Sequence, residues 1–76
     1  MKKEYKDWYR KLGFNIAYYR KMNSISQEKF GGKLELEQSY ISRIETGDVG
    51  LTLDKLFDLA IVLDVPPHKL LEFKED

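Results

Sequence analysis

Apolar residues fall along this chain in two rhythms. Tyr5, Trp8, Leu12, Ile16 and Tyr19 recur at three or four positions and make one stripe, the period of an amphipathic helix. The stripe predicts a first helix from about Tyr5 to Met22, weakened in its middle by Gly13 and ended by "MNS". A second pattern then repeats four times: an apolar residue, a candidate cap, and another apolar residue five positions after the first. The pairs are Ile25 and Phe30 around Ser26, Leu36 and Ile41 around Glu37, Leu51 and Leu56 around Thr52, and Val65 and Leu70 around Pro66. This is the spacing of a hydrophobic staple, in which the residue before the cap packs on the fourth helical residue. Ser and Thr are strong caps, and Pro67 at a first helical position loses nothing by lacking an N–H.

The four starts predict helices at Gln27–Leu34, Gln38–Thr46, Leu53–Leu63 and Pro67 to about Phe73, with Gly47 closing the second of them. Leu53, Leu56, Leu59, Ala60 and Leu63 form the inward side of the Leu53 helix. No stretch reads as a strand, so the fold class is all-α with five helices.

Gly31 and Gly32 stand side by side inside the Gln27 helix, where each costs about 1 kcal/mol against alanine. A helix-turn-helix explains the first of them. Two helices crossing steeply over a short turn bring their backbones together, and Gly31 lies five residues before the turn's Leu36. Phe30, Leu34, Leu36, Ile41 and Ile44 would then be the seam of the pair. Gly32 has no such duty. With Ile41 and Ile44 inward, Gln38, Ser39, Ser42 and Arg43 face outward. A second helix of this kind enters the major groove of DNA with its N-terminal residues at base edges.

Seventy-six residues make one small domain. Cysteine is absent, which excludes disulfides and thiolate chemistry. His68 is the single histidine and has no nucleophile or ligand cluster beside it, so neither an enzyme nor a metal or cofactor site is expected. No apolar run approaches the ~20 residues of a membrane span, and no secretory signal is visible; a cytoplasmic protein follows as the expectation. Net charge is zero, but the chain is polarised: residues 1–30 carry eight Lys/Arg against three Asp/Glu, and residues 31–76 carry five against ten. A basic face turned to a polyanion and ordinary solvated helix faces are both compatible with that split.

Residues 12–73 resemble the phage-repressor-like helix-turn-helix family of the Cro/CI/Xre type, in "LGFNIAYYRK", "ISQEKFGGKL", "SYISRIETG", "LTLDKLFDLAIVLDV" and "PHKLL". The resemblance implies a five-helix lambda-repressor-like domain at 12–73, an N-terminal extension at 1–11 running into the first helix, and a short tail at 74–76. It implies DNA contacts at Ser26 and Gln27, where the second helix opens toward a phosphate. It also implies base contacts from Gln38, Ser39 and Ser42, and a guanine or phosphate contact from Arg43. Tyr40 and Thr46 would touch the DNA backbone. For Arg43 the competing reading is a surface ion pair with Glu45 or Glu37. In the family an arginine late in the first helix pairs with the glutamate after "SRI", which here are Arg20 and Glu45.

The chain also departs from the family. Glu35, Ser24 and Asp64 stand at turn positions where glycine is usual, Glu37 stands where Ser or Thr usually caps the recognition helix, and Asn15 and Ala17 replace basic residues. Near DNA the Glu37 charge would be repulsive unless it accepts a hydrogen bond from cytosine N4. Phe57 and Ile61, with Leu70, Leu71 and Phe73, form a candidate homodimer patch; completion of the monomer core is the competing reading. Tyr5, Trp8 and Tyr9 are either a second contact or a cap on the core.

The expected function is a sequence-specific regulator of transcription, a repressor, binding a palindromic duplex operator as a homodimer, from a bacterium or phage. With only "KED" beyond the last helix, a stand-alone repressor, a restriction–modification controller or an antitoxin-like autorepressor would fit. The alternative is a protein-binding module that keeps the fold and has weak or no DNA affinity, favoured by the zero net charge and by Glu35 and Glu37.

Overall fold

The computed structural model describes residues 2–74. Five helices follow in order: α1 (Lys3–Met22), α2 (Gln27–Leu34), α3 (Gln38–Thr46), α4 (Leu53–Leu63) and α5 (Pro67–Leu70). No strand occurs among the described residues, and no described helix is long and apolar enough to cross a membrane. The ends of α2, α3 and α4 fall where the sequence pattern puts them. α1 begins slightly earlier than expected, and α5 stops at Leu70 instead of near Phe73. The shortening has a visible cause. The Asn15 amide of α1 donates to the carbonyl oxygens of Leu70 and Glu72, at 3.0 and 3.1 Å, holding the chain in a non-helical course.

Ser26 and Thr52 cap α2 and α4, their hydroxyl oxygens accepting from the N–H groups of Lys29 and Lys55 at 3.0 and 3.1 Å. Four helix ends share one closure, with Ser24, Glu35, Gly47 and Asp64 in the left-handed conformation. After α2, for example, the Leu36 N–H donates to the Gly31 carbonyl at 2.8 Å and the Glu35 N–H to that of Gly32 at 3.3 Å. Such paired bonds satisfy the last carbonyls of a helix. A side chain at a left-handed position costs of order 1–2 kcal/mol, and Ser24, Glu35 and Asp64 all carry it.

The core is Leu12, Ile16, Phe30, Ile41, Ile44, Leu56, Leu59, Ala60, Leu63 and Leu70. Helices α1 and α2 both pack on α3, whose inner residues Ile41 and Ile44 are buried in the core. Two expectations are corrected. Leu70 is completely buried, which removes it from any dimer patch. Leu53 is exposed at the first position of α4, where the helix has not yet reached the core. Tyr5 and Trp8 are half-exposed on the wall of an apolar cleft shared with Leu53 and Phe73; their rings stack on each other with centroids 5.7 Å apart.

The two adjacent glycines separate cleanly. A Cβ on buried Gly31 would lie 2.5 Å from the Leu36 carbonyl oxygen and 3.3 Å from Ile41 Cγ1, whereas one on exposed Gly32 would meet nothing within 4 Å. Gly31→Ala should therefore destabilise the protein by about 1–3 kcal/mol through overpacking. Gly32→Ala should stabilise it by up to about 1 kcal/mol through helix propensity. Urea unfolding of the two variants would test this, and shifts of the same sign would disprove the crossing role.

Candidate nucleic-acid interface

The outward side of α3 presents Gln38, Ser39 and Arg43 to solvent, with Ser42 and Tyr40 half-buried beside them. Its inward side is fixed by Ile41 and Ile44. A buried polar network fixes its position further. Arg20, near the end of α1, grips Glu45 with two parallel bonds, Nε to Oε2 at 2.7 Å and Nη2 to Oε1 at 3.1 Å. Its remaining nitrogen, Nη1, donates to the Ile25 carbonyl at 2.8 Å. Gln27, the first residue of α2, donates from Nε2 to Glu45 Oε1 at 2.9 Å. The side chains of the ion pair are only 10% and 6% exposed. The two-pronged geometry suits the planar guanidinium. The Glu45 carboxylate thus ties α1 and the start of α2 to the end of α3, and the same guanidinium holds the turn after α1.

Gly13 makes this assembly close. A Cβ there would fall 2.5 Å from the Glu45 carbonyl oxygen and nearer still to that of Ile44, so the α1 backbone rests directly on α3. The sequence reading treated Gly13 only as a weak point.

The remaining candidates are placed as follows. Arg43 has no ion pair among the described residues; Glu45 is committed to Arg20, so the surface-pair reading fails. Ser26 is exposed, its hydroxyl oxygen occupied by the cap of α2. The Gln27 amide is turned inward to Glu45, leaving its backbone N–H as the group for an anion. Thr46 donates to Asp48 Oδ2 at 3.0 Å. Glu37 is exposed, and its side chain makes no capping bond to α3. Lys29 and Lys33 are exposed along α2. Asn15, where the resemblance would often put a basic residue, is spent on the carbonyls of Leu70 and Glu72, at and just after the end of α5.

The proposed dimer residues divide. Phe57 and Ile61 are exposed on α4, Ile61 by 75%, and continue an exposed stripe from Leu53. Leu71 and partly buried Phe73 instead join Leu53, Tyr5 and Trp8 around a cleft of about 440 Å³ with apolar walls. Sequence reasoning also missed a second exposed line on α1, Phe14, Tyr18 and Met22. Their four-residue spacing was legible, but the stripe through Leu12 and Ile16 accounted for the helix first.

The sequence pattern of the helix-turn-helix family matches residues 16–70. The control protein C.BamHI of Bacillus amyloliquefaciens is 37% identical over 51 residues, 67% of this chain and 63% of that protein. The control protein C.SmaI of Serratia marcescens is 35% identical over 60 residues, 79% of this chain and 71% of that protein. The chain therefore spans a little under two thirds of the first of these relatives and somewhat more of the second. Among solved structures, the restriction–modification controller protein C.AhdI from Aeromonas hydrophila superposes with a TM-score of 0.83 at 27% identity, over 88% of this chain and 97% of that one. The DNA-binding domain of BldD has the same fold, with a TM-score of 0.80 at 24% identity over 87% and 96% of the two chains.

Proposed function

The chain belongs to the helix-turn-helix family, and from that premise we propose that it is a DNA-binding regulator of transcription that reads duplex DNA with α3. The observation that carries this reading is an α3 whose polar face is open while its back is locked by Ile41, Ile44 and the Arg20–Glu45 pair. A rigid element with free polar side chains suits the major groove, where Gln can grip adenine and Arg can grip guanine by two bonds each. Gln38, Ser39, Ser42 and Arg43 are the proposed base readers. Tyr40, Thr46 and the open backbone N–H groups at the start of α2, beside Ser26 and Gln27, are the proposed phosphate contacts.

The proposal extends to repression by a homodimer on a palindromic operator, in a bacterial or phage cytoplasm. Its matched relatives are control proteins of bacteria. A single short recognition helix covers few base pairs, and a two-fold pair would read half-sites about 34–36 Å apart. The exposed α4 stripe of Leu53, Phe57 and Ile61 is the proposed contact between copies.

Titration against duplex DNA tests the reading. Arg43→Ala should weaken operator binding by about 1–3 kcal/mol and relax preference at one base position. A loss equal for every duplex would make Arg43 a phosphate contact instead. Binding of the intact protein that does not fall with added salt would contradict a phosphate-contacting mode altogether.

A further inference from the structure

We infer that Glu37, at the start of α3, is a specificity-determining residue that selects a cytosine in each half-site; the inference rests on the regulator reading above. Glu37 holds the N-cap position, with φ −72° and ψ 149°, yet its carboxylate does not cap the helix. Its backbone carbonyl does the local work, accepting from the N–H groups of Tyr40 and Ile41 at 3.1 and 3.2 Å. The side chain is exposed and has no ion pair among the described residues. It stands one position before Gln38, on the end of the helix that approaches base edges in this docking geometry.

A free carboxylate has two consequences there. It repels phosphate, so this helix start is a poor backbone clamp despite its open N–H groups. In the groove, water is displaced and an unmatched charge is costly. The carboxylate then needs a donor. Guanine offers only acceptors on its major-groove edge and thymine an acceptor with a methyl group. Adenine sets an acceptor beside its amine, whereas cytosine presents its N4 amine without one. An acceptor-only side chain is therefore matched best by cytosine.

The test uses the operator that the intact protein selects, remade with each of the four bases in turn at every half-site position. Wild type should prefer cytosine at one position by on the order of 10-fold or more. Glu37→Gln should shift that one preference toward adenine, because an amide both donates and accepts. Glu37→Thr should abolish it while keeping the helix capped; a melting temperature at or above wild type would show that the fold is intact. Unchanged preferences with uniformly tighter binding in both variants would overturn the inference and leave Glu37 a repulsive surface charge. A wild-type operator without a cytosine-selecting position would overturn it as well. Failure of wild type to select any duplex would instead sink the regulator reading, and this inference with it.

Discussion

Glu45→Ala is expected to destabilise the protein by about 3–5 kcal/mol, the usual cost of stranding one partner of a buried ion pair. The truncation strands more than one group. Arg20 would stay buried with its charge unmet, keeping only the Ile25 carbonyl, and Gln27 would lose its acceptor. Domains of this size carry total stabilities at the low end of roughly 5–15 kcal/mol, so the variant should be near unfolding at room temperature. At about 4–8 °C per kcal/mol for 60–100 residues, its melting temperature should fall by at least roughly 12 °C. Glu45→Gln keeps an acceptor for Arg20 and should lose distinctly less. Thermal melts of both variants decide the point; a loss below about 1 kcal/mol for Glu45→Ala would mean that the pair is not the clamp between α1 and α3.

Gly13→Val should cost about 3 kcal/mol or more, at the upper end of overpacking effects. The β-carbon and its two methyl groups would be driven onto the backbone carbonyls of Ile44 and Glu45. Backbone atoms cannot swing aside as a flexible side chain does. Nor can α3 retreat, because Arg20 pins it to α1 just two turns further along. Valine is also a weaker helix former than alanine, but that difference is a few tenths of a kcal/mol and cannot produce the loss. The two variants are coupled through one helix crossing. A double-mutant cycle in denaturant on the milder pair Gly13→Ala and Glu45→Gln, which leaves a folded protein to measure, should accordingly give a loss smaller than the sum of the singles.

Elements defined by local chemistry were legible in the sequence. The staple pairs around Ser26 and Thr52 located two caps that the hydrogen bonds reproduce, and Gly31 marked the α2–α3 crossing from its distance to Leu36. What escaped was tertiary. Gly13 looks like a helix defect until α3 is laid against it. Asn15 looks like a missing cation until the carbonyls of Leu70 and Glu72 come within reach. The α1 period could not show that Tyr5 and Trp8 line an open apolar cleft and stay half-exposed there. Leu70 carried two readings in the sequence, the staple partner of Val65 and part of a surface patch, and only its complete burial decides for the core. The outward polar face of α3 followed from Ile41 and Ile44 alone. The commitments of Gln27 and Thr46 to internal partners did not, since both depend on where Glu45 and Asp48 come to rest.

The reading of DNA by α3 is tested most directly by selecting bound duplexes from a random library at near-physiological salt. Wild-type protein should enrich one two-fold symmetric motif, and Arg43→Ala should enrich a motif degenerate at one position of each half. Protein that is folded by circular dichroism yet enriches nothing would contradict DNA reading and turn attention to protein partners for the exposed stripe of Leu53, Phe57 and Ile61.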